Sequence, residues 1–295
     1  MAINVSTLPE YIQENRDELF VKAIASTKTL DYIESMLGVK GKAALNYLNS
    51  TVVLADGESC GWNPQGDDTF TQKTVTTKLI AVNKEFCAKQ MRSKWMSYDL
   101  SLAAGRENLP FEQKIAESNV AAIKNAVEKL IWRGDTGLGI DGLIKQIQAE
   151  ESSIKVSGGT TILERVSKVI SAIPTDALEK GVNVFMGYDN FRSYVEAKNA
   201  ECCGNMPIID ANVDELVYAG DSRIKIVPVA GIKNGVNVIV AAPYDALVYA
   251  TDVEDSEGIF KMWFDEKEDK FLFKVLFTAG TAVKYPDQVV LHLGE

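Results

Sequence analysis

Histidine is nearly missing from this chain. His292 is the single one, which excludes two-histidine zinc sites, H-E-x-x-H motifs and two-histidine iron sites within one subunit. A Ser-His-Asp or Cys-His triad would have to use His292, and it lies in PDQVVLHL, where alternation marks an ordinary strand position. Cysteine is scarce too. Four in 295 residues do not form a disulfide framework. Cys202 and Cys203 are adjacent and do not pair readily with each other. Cys60 and Cys87 flank an expected hairpin, and free thiols are the favoured reading, with oxidation to a disulfide as the alternative. No apolar run approaches the ~20 residues of a membrane span, so no membrane contact is expected. The first residues lack the basic and apolar regions of a secretion signal, and without secretion the triplets Asn4-Val5-Ser6 and Asn49-Ser50-Thr51 are chance matches to the glycosylation pattern. Positive charge is in deficit: 31 Lys and Arg face 41 Asp and Glu, for a net charge of −10. A protein that grips nucleic-acid phosphates by charge shows the opposite sign.

Motifs with catalytic overtones resolve into local structure. Asp135-Thr136-Gly137 spells the aspartic-protease signature, but it follows a helix and a glycine cap instead of a buried strand, so a turn is expected. Arg133-Gly134-Asp135 reads as the same helix end. GLGIDG lacks the spacing and the preceding strand of a dinucleotide site. Asp252, Glu254, Asp255 and Glu257 read as a solvated or interface patch. The expected catalytic, cofactor-binding and metal-binding residues are therefore none, no cofactor is expected, and the chain is not expected to be an enzyme.

Apolar content of 46% and charged content of 24% are those of an ordinary globular protein. The strongest periodic stretch is LPFEQKIAESNVAAIKNAVEKLIWRGD. At 100° per residue, Phe111, Ile115, Ala116, Val120, Ala122, Ile123, Ala126, Val127, Leu130 and Ile131 share one broad arc. Lys114, Glu117, Ser118, Lys124, Asn125, Glu128 and Lys129 occupy the other. Asn108 suits the N-cap, Pro110 and Glu112 the first turn, and Gly134 a left-handed C-cap. A rod of roughly 35 Å with so wide an apolar face calls for a sheet to cover it.

Ahead of that rod, Leu8-Pro9 starts a helix through Tyr11, Ile12, Leu19, Phe20 and Ala23. A second helical piece, DYIESMLGVKGKAALNYL, is broken at Gly38 and Gly41. Both are too short to form a core alone and must lie on the body or on a neighbouring copy. From Ser50 to Val82 the period becomes two: STVVLAD and TFTQKTVTTKLIAV read as a long hairpin around the turn-rich GESCGWNPQGDD. Thr71, Lys73, Thr77 and Lys78 are not core residues, so the hairpin is expected to project and dock on a partner. Residues 84–104 read as helical.

QAEESSIKVSGGTT marks a boundary near residue 160. Helix and strand then alternate: a helix over 162–172, a strand in VNVFMG, a helix in YDNFRSYVEAKNA, strands in RIKIVPVAG and VNVIVAA, and a short helix in PYDALVYATD opened by Pro243. Two strands, GIFKMWF and KFLFKVLF, come next. Phe260, Met262 and Phe264 share one face, as do Phe271, Phe273, Val275 and Phe277. TAVKYPDQVVLHL reads as a third strand that closes the same sheet.

This order resembles the major capsid proteins of tailed bacteriophages, the Hong Kong 97-like fold. The segments that carry the resemblance are AALNYLNSTVVLADGESCGWNPQGDDTFTQKTVTTKLIAVNKEFCAKQM, LPFEQKIAESNVAAIKNAVEKLIWRGD, NVIVAAPYDALVYATD and FKMWFDEKEDKFLFKVLFTAGTAVKYPDQVV. It implies an α+β fold with an N-arm (1–45), an E-loop hairpin with its flanks (46–95), a P-domain with the long spine helix on a β sheet (96–160), an inserted α/β A-domain (161–252) and a sheet return (253–295). It implies that copies of the chain assemble into hexamers and pentamers of an icosahedral shell around double-stranded DNA, with arms and hairpins reaching across to neighbours. Portal, scaffolding and decoration proteins are the further partners it implies, with non-specific contact to packaged DNA. The expected location is the virion capsid, assembled in the bacterial cytoplasm. Some capsids of this fold join subunits through a lysine in the E-loop, where Lys73 and Lys78 stand here, but solvated or interface lysines are the plainer reading. No cleaved scaffolding segment is expected ahead of the arm. An encapsulin-like nanocompartment shell protein is the alternative.

Overall fold

The computed structural model describes residues 7–24, 27–54, 66–87, 111–201, 215–233, 237–252, 260–268 and 270–294. Asn108, Pro110, Cys60, Cys202, Cys203, Glu254, Asp255, Glu257, the expected turn over 57–65 and the 88–104 part of an expected helix lie outside the described residues.

The long rod is a helix at Phe111–Arg133, α3, after two short arm helices, α1 (Thr7–Glu14) and α2 (Arg16–Ile24). Gly134, at φ 70°, ends α3 in the left-handed conformation the sequence demanded. Ala116, Val120, Ile123, Val127 and Ile131 are buried as expected. The buried face is rotated from the expected arc, however. Ala122 and Ala126 are exposed, whereas Glu128 and Trp132 are buried. The arm supplies the reason, because it packs along this side of the helix and contributes Ile12, Leu19, Ala23, Ile24 and Ile33 to the same core.

The sheet under α3 has five strands in the order β1 (Glu34–Leu37), β12 (Leu247–Thr251), β14 (Lys270–Val283), β13 (Phe260–Asp265), with β4 (Lys78–Cys87) also paired to β14. Strand β14 is the axis: β4 runs antiparallel along it from Lys270↔Cys87 to Ala279↔Lys78. Its burial alternates strictly from Lys270 to Ala279, so Phe271, Phe273, Val275 and Phe277 all face the helix and are buried. Each such side chain contributes roughly 1.5–3 kcal/mol. That face matches the sequence reading, and Met262 and Phe264 of β13 join it.

A six-stranded sheet holds β7 (Ile154–Val156), β15 (Val290–His292), β11 (Ile239–Pro243), β8 (Val182–Met186), β10 (Asp221–Pro228) and β9 (Leu216–Tyr218), in that order. Its central strands are apolar at nearly every position because both faces are covered. Phe185, Val227, Val240 and Leu291 face the core under α3. Val184, Ile226, Ile239 and Val290 face the helices α5 (Ile162–Ser171), α6 (Thr175–Lys180) and α7 (Tyr188–Glu201). Helix α5 is fixed at its start by a capping box, in which Thr161 Oγ1 accepts the Glu164 N–H and the Glu164 carboxylate reaches back. After α3, β5 (Gly134–Asp135) pairs with β6 (Ile140–Asp141), and helix α4 (Leu143–Ala149) packs on α3 and β14.

Five expectations need correction. DYIESMLGVKGKAALNYL is not helical: it forms β1 and the start of β2 (Lys42–Val52), and Gly38 and Gly41 (φ 77° and 83°) turn the chain between them. Strand β2 pairs with β3 (Gly66–Thr76), so the ribbon begins eight residues before Ser50. The expected helix in PYDALVYATD is strand β12, buried at all five positions and therefore without alternation to betray it. The expected helix over 84–104 begins instead as the end of β4. TAVKYPDQVVLHL divides: its first residues finish β14, Pro286–Gln288 form a short 3-10 turn, and β15 joins the six-stranded sheet rather than the five-stranded one.

Close approach of backbones is needed where β3 hands over to β4. A Cβ on Gly280 would lie 2.3 Å from the Thr76 carbonyl oxygen and 3.1 Å from Thr77 Cα. Gly280→Ala is expected to destabilise the subunit by about 1–3 kcal/mol through overpacking. A urea-unfolding midpoint equal to that of the unsubstituted chain would contradict this.

Candidate assembly interface

Strands β2 and β3 form an isolated ribbon of two eleven-residue strands, paired from Lys42↔Thr76 to Val52↔Gly66. Its base is held to the body. Leu45 and Val75 are buried against Val248, Ala250 and Ala282 on the sheet face turned away from α3. The Tyr47 ring meets Tyr285 edge-on at 5.2 Å, and Lys73 Nζ pairs with Glu150 at 2.5 Å. Thr77 was expected outside the core but is buried. Its hydroxyl donates to the Val39 carbonyl oxygen and accepts the Gly41 N–H, pinning the pivot where β3 ends.

The far half of the ribbon has no such support. Residues 66–70 are all exposed. Val52 is 77% exposed, Leu54 93% and Phe70 80%. In water these apolar side chains are a liability on a two-stranded ribbon, and a projecting ribbon survives by docking. A second apolar area lies on the outer face of the five-stranded sheet. Register places Leu272 between Trp263 and Glu85, and Ala81 beside Leu276, all on the side opposite the buried phenylalanines. Leu79 at 68% and Trp263 at 43% are its most exposed apolar members. Lys270 bridges Glu85 and Glu268 at this edge, and the hydrogen bonds it donates to the Glu268 and Glu85 carboxylates raise its pKa.

The residues weighed as chemistry have structural occupations. Asp135 Oδ1 accepts the Gly137 and Leu138 N–H groups in a turn, as expected of that triplet. His292 is buried in β15, its ring between the Gly158 and Asn237 carbonyl oxygens at 2.9 and 3.2 Å. Lys78 Nζ donates to the Leu138 carbonyl oxygen. Asp252, expected on a solvated patch, is buried at the end of β12, where its N–H donates to Thr278 Oγ1. Cys87 is a free thiol. Among the described residues there is no cluster of three or more His, Cys, Asp or Glu side chains placed to hold a metal. No helix there is long and apolar enough to cross a membrane.

Two features escaped the sequence reading. The apolar ribbon tip was drawn as strand and turn, and the signal for it in the sequence was the unbroken apolar run Val52, Val53, Leu54. The arm's docking place was the second: the residues left it on the body or on a neighbouring copy, and α1 and α2 lie on α3 and β13 of their own subunit. Their apolar residues fit the side of α3 that carries Glu128 and Trp132, which the helical wheel had assigned in part to solvent.

No protein-family model and no curated protein sequence matches the chain. Solved structures do. A chain of Microbacterium phage Oxtober96 superposes with a TM-score of 0.57 at 12% identity, over 91% of each chain. A virus-like particle from Pyrococcus furiosus gives 0.55 at 11% identity, over 96% of this chain and 99% of that one. The capsid of an empty GTA particle gives 0.54 at 10% identity, over 90% and 94%. Likeness at such low identity speaks for architecture, and it covers 90% or more of each chain: the chain has the Hong Kong 97-like fold of phage capsid proteins.

Proposed function

We propose that the chain is the major capsid protein of a tailed bacteriophage, building hexamers and pentamers of an icosahedral shell around double-stranded DNA. The observation that carries this reading is the ribbon, whose base is fastened while its tip offers Val52, Leu54 and Phe70 to solvent in a chain with a capsid fold. In this reading the ribbon is the E-loop, residues 1–45 are the N-arm, α3 and the five-stranded sheet form the P-domain, and the six-stranded sheet with its helices forms the A-domain. Each subunit gives its ribbon to one neighbour and takes another's. Such a heterologous contact, repeated, closes into rings and then a shell. Several weak contacts per subunit make the shell slow to come apart. The net charge of −10 suits contact with DNA that is non-specific and not strongly adhesive. Portal, scaffolding and decoration proteins are the other partners, and the virion is the location.

A nanocompartment shell is the second reading, and the likeness to the Pyrococcus furiosus virus-like particle favours it. Expression of the chain with electron microscopy of the purified product tests both. Closed megadalton particles are expected; a monodisperse monomer at high concentration would sink both readings. Particles holding nucleic acid support the capsid, and particles holding a co-purifying enzyme support the compartment.

A further inference from the structure

Glu128 of α3 is a buried acid at the junction of arm and helix. Glu128 is 4% exposed and lies where the arm crosses the long helix. Its carboxyl accepts the Thr29 hydroxyl and, at 3.4 Å, the Thr29 N–H. The same Thr29 hydroxyl accepts the Trp132 Nε1–H at 2.8 Å. From the far side, Gly231 presses on this point: a Cβ there would lie 2.2 Å from Trp132 Cδ1 and 2.4 Å from the Glu128 carbonyl oxygen. Three segments therefore meet at one buried acid: the arm at Thr27–Asp31, the helix, and the turn after β10.

We infer that Glu128 is a pH-operated latch, holding the arm against α3 while the carboxyl keeps its proton and releasing it as the carboxyl ionises. The charges around it do not neutralise it. Lys124, one turn earlier on α3, is the cation that acts on it, and no ion pair reaches the carboxyl among the described residues. On the arm, Lys28 is directed over the Tyr188 ring and Asp31 is exposed. Lys22 of α2 is paired with Glu18. Arg133 donates to the Gly231 carbonyl oxygen, and Lys233 of that turn is exposed. An ionised carboxylate in such surroundings is costly to keep buried. Its proton has a seat: Thr27 Oγ1 is buried beside the carboxyl with no well-formed hydrogen bond of its own. Burial raises the pKa of Glu128, against the opposing pull of the Thr29 hydrogen bonds.

The sign follows from linkage. An acid whose pKa is higher in the docked state binds more protons there. Docking is then strongest below the exposed value and weakens as pH rises through the raised one. Undocking of the arm alone is a sub-global opening that amide exchange detects. The inference does not depend on shell assembly, and the unassembled full chain serves for the test. Exchange protection of arm amides over 7–24, corrected for intrinsic rates, is expected to fall by about tenfold between about pH 5 and about pH 9. Amides of β8 and β11 should hold their protection. In Glu128→Gln, whose amide can still accept from Thr29 and donate to Thr27 but does not titrate, arm protection should change by less than about twofold over that range. Three results would each overturn the latch: flat arm protection in the unsubstituted chain, an equal loss in β8 and β11, or a Gln variant that loses arm protection in parallel with it. The comparison of arm with β8 and β11 decides the matter even if the Gln variant does not fold.

Discussion

Leu54→Asp combined with Phe70→Asp is expected to abolish shell formation and leave a folded subunit. The two side chains are 93% and 80% exposed in the isolated chain, so their replacement removes almost no intramolecular contact. Surface changes of this kind stay within about 0.5 kcal/mol of the original stability. In a docked ribbon the same side chains are each worth roughly 1.5–3 kcal/mol of burial. Aspartate forfeits that gain and adds the penalty of a desolvated charge. In the proposed shell each subunit both gives and receives a ribbon, so the loss would recur at every contact of a closed ring. Light scattering and electron microscopy should show particles for the unsubstituted chain and only small species for the variant, with matching thermal melts. Normal particles from the double variant would remove the ribbon tip from the interface and with it the main support for the proposed function. The milder pair Leu54→Ala with Phe70→Ala should weaken assembly without preventing it, which separates lost burial from added charge.

Legibility in the sequence followed how many faces of an element are wet. The first ten residues of strand β14 alternate because one face meets the core under α3 and the other is partly open to solvent, so its buried phenylalanines could be named from spacing alone. Strand β12 is buried on both faces, and LVYAT with a proline four residues before it looked like the opening of a helix. Residues 34–48 failed for a related reason. ESML is a four-residue edge strand whose place is set by parallel pairing with β12, a contact more than two hundred residues away in the chain. In KAALNYLNSTV, alanine, leucine and lysine favour helix locally, but β3 imposes the strand. Long-range pairing decided both, and no local window contains it.

The ribbon itself was legible as a hairpin, from Thr-rich alternation on one strand and turn residues between. Its true start was hidden by the same helix-like composition. The misjudged face of α3 has a different origin. A helical wheel ranks positions by residue type, and it sends a glutamate outward by default. Glu128 goes inward because the arm brings it hydrogen-bond donors, and an arm that docks on its own subunit was itself one of two possibilities the sequence left open.

The arm, the long helix and the six-stranded sheet share one residue, and its loss is expected to be the most destabilising single change in the chain. Trp132 is fully buried. Its ring lies 5.0 Å from Phe185 of β8, its Nε1–H donates to Thr29 Oγ1 of the arm, and Gly231 packs on its edge. Trp132→Ala should reduce unfolding free energy by about 3–5 kcal/mol, the range for removing a large aromatic from a packed core. That is a large part of the 5–15 kcal/mol a domain typically has, about as much as such a fold can lose. Trp132→Phe keeps most of the burial but removes the donor. Thr29 still has Glu128 to donate to, so the loss should be nearer 1–2 kcal/mol. Urea unfolding of the unassembled subunit measures both. An alanine variant within about 1 kcal/mol of the unsubstituted chain would mean that the three segments are held together elsewhere. A phenylalanine variant as unstable as the alanine one would transfer the weight from packing to the hydrogen bond. The expected order, with alanine well below phenylalanine, states that the ring fills the junction and the indole nitrogen only orients it.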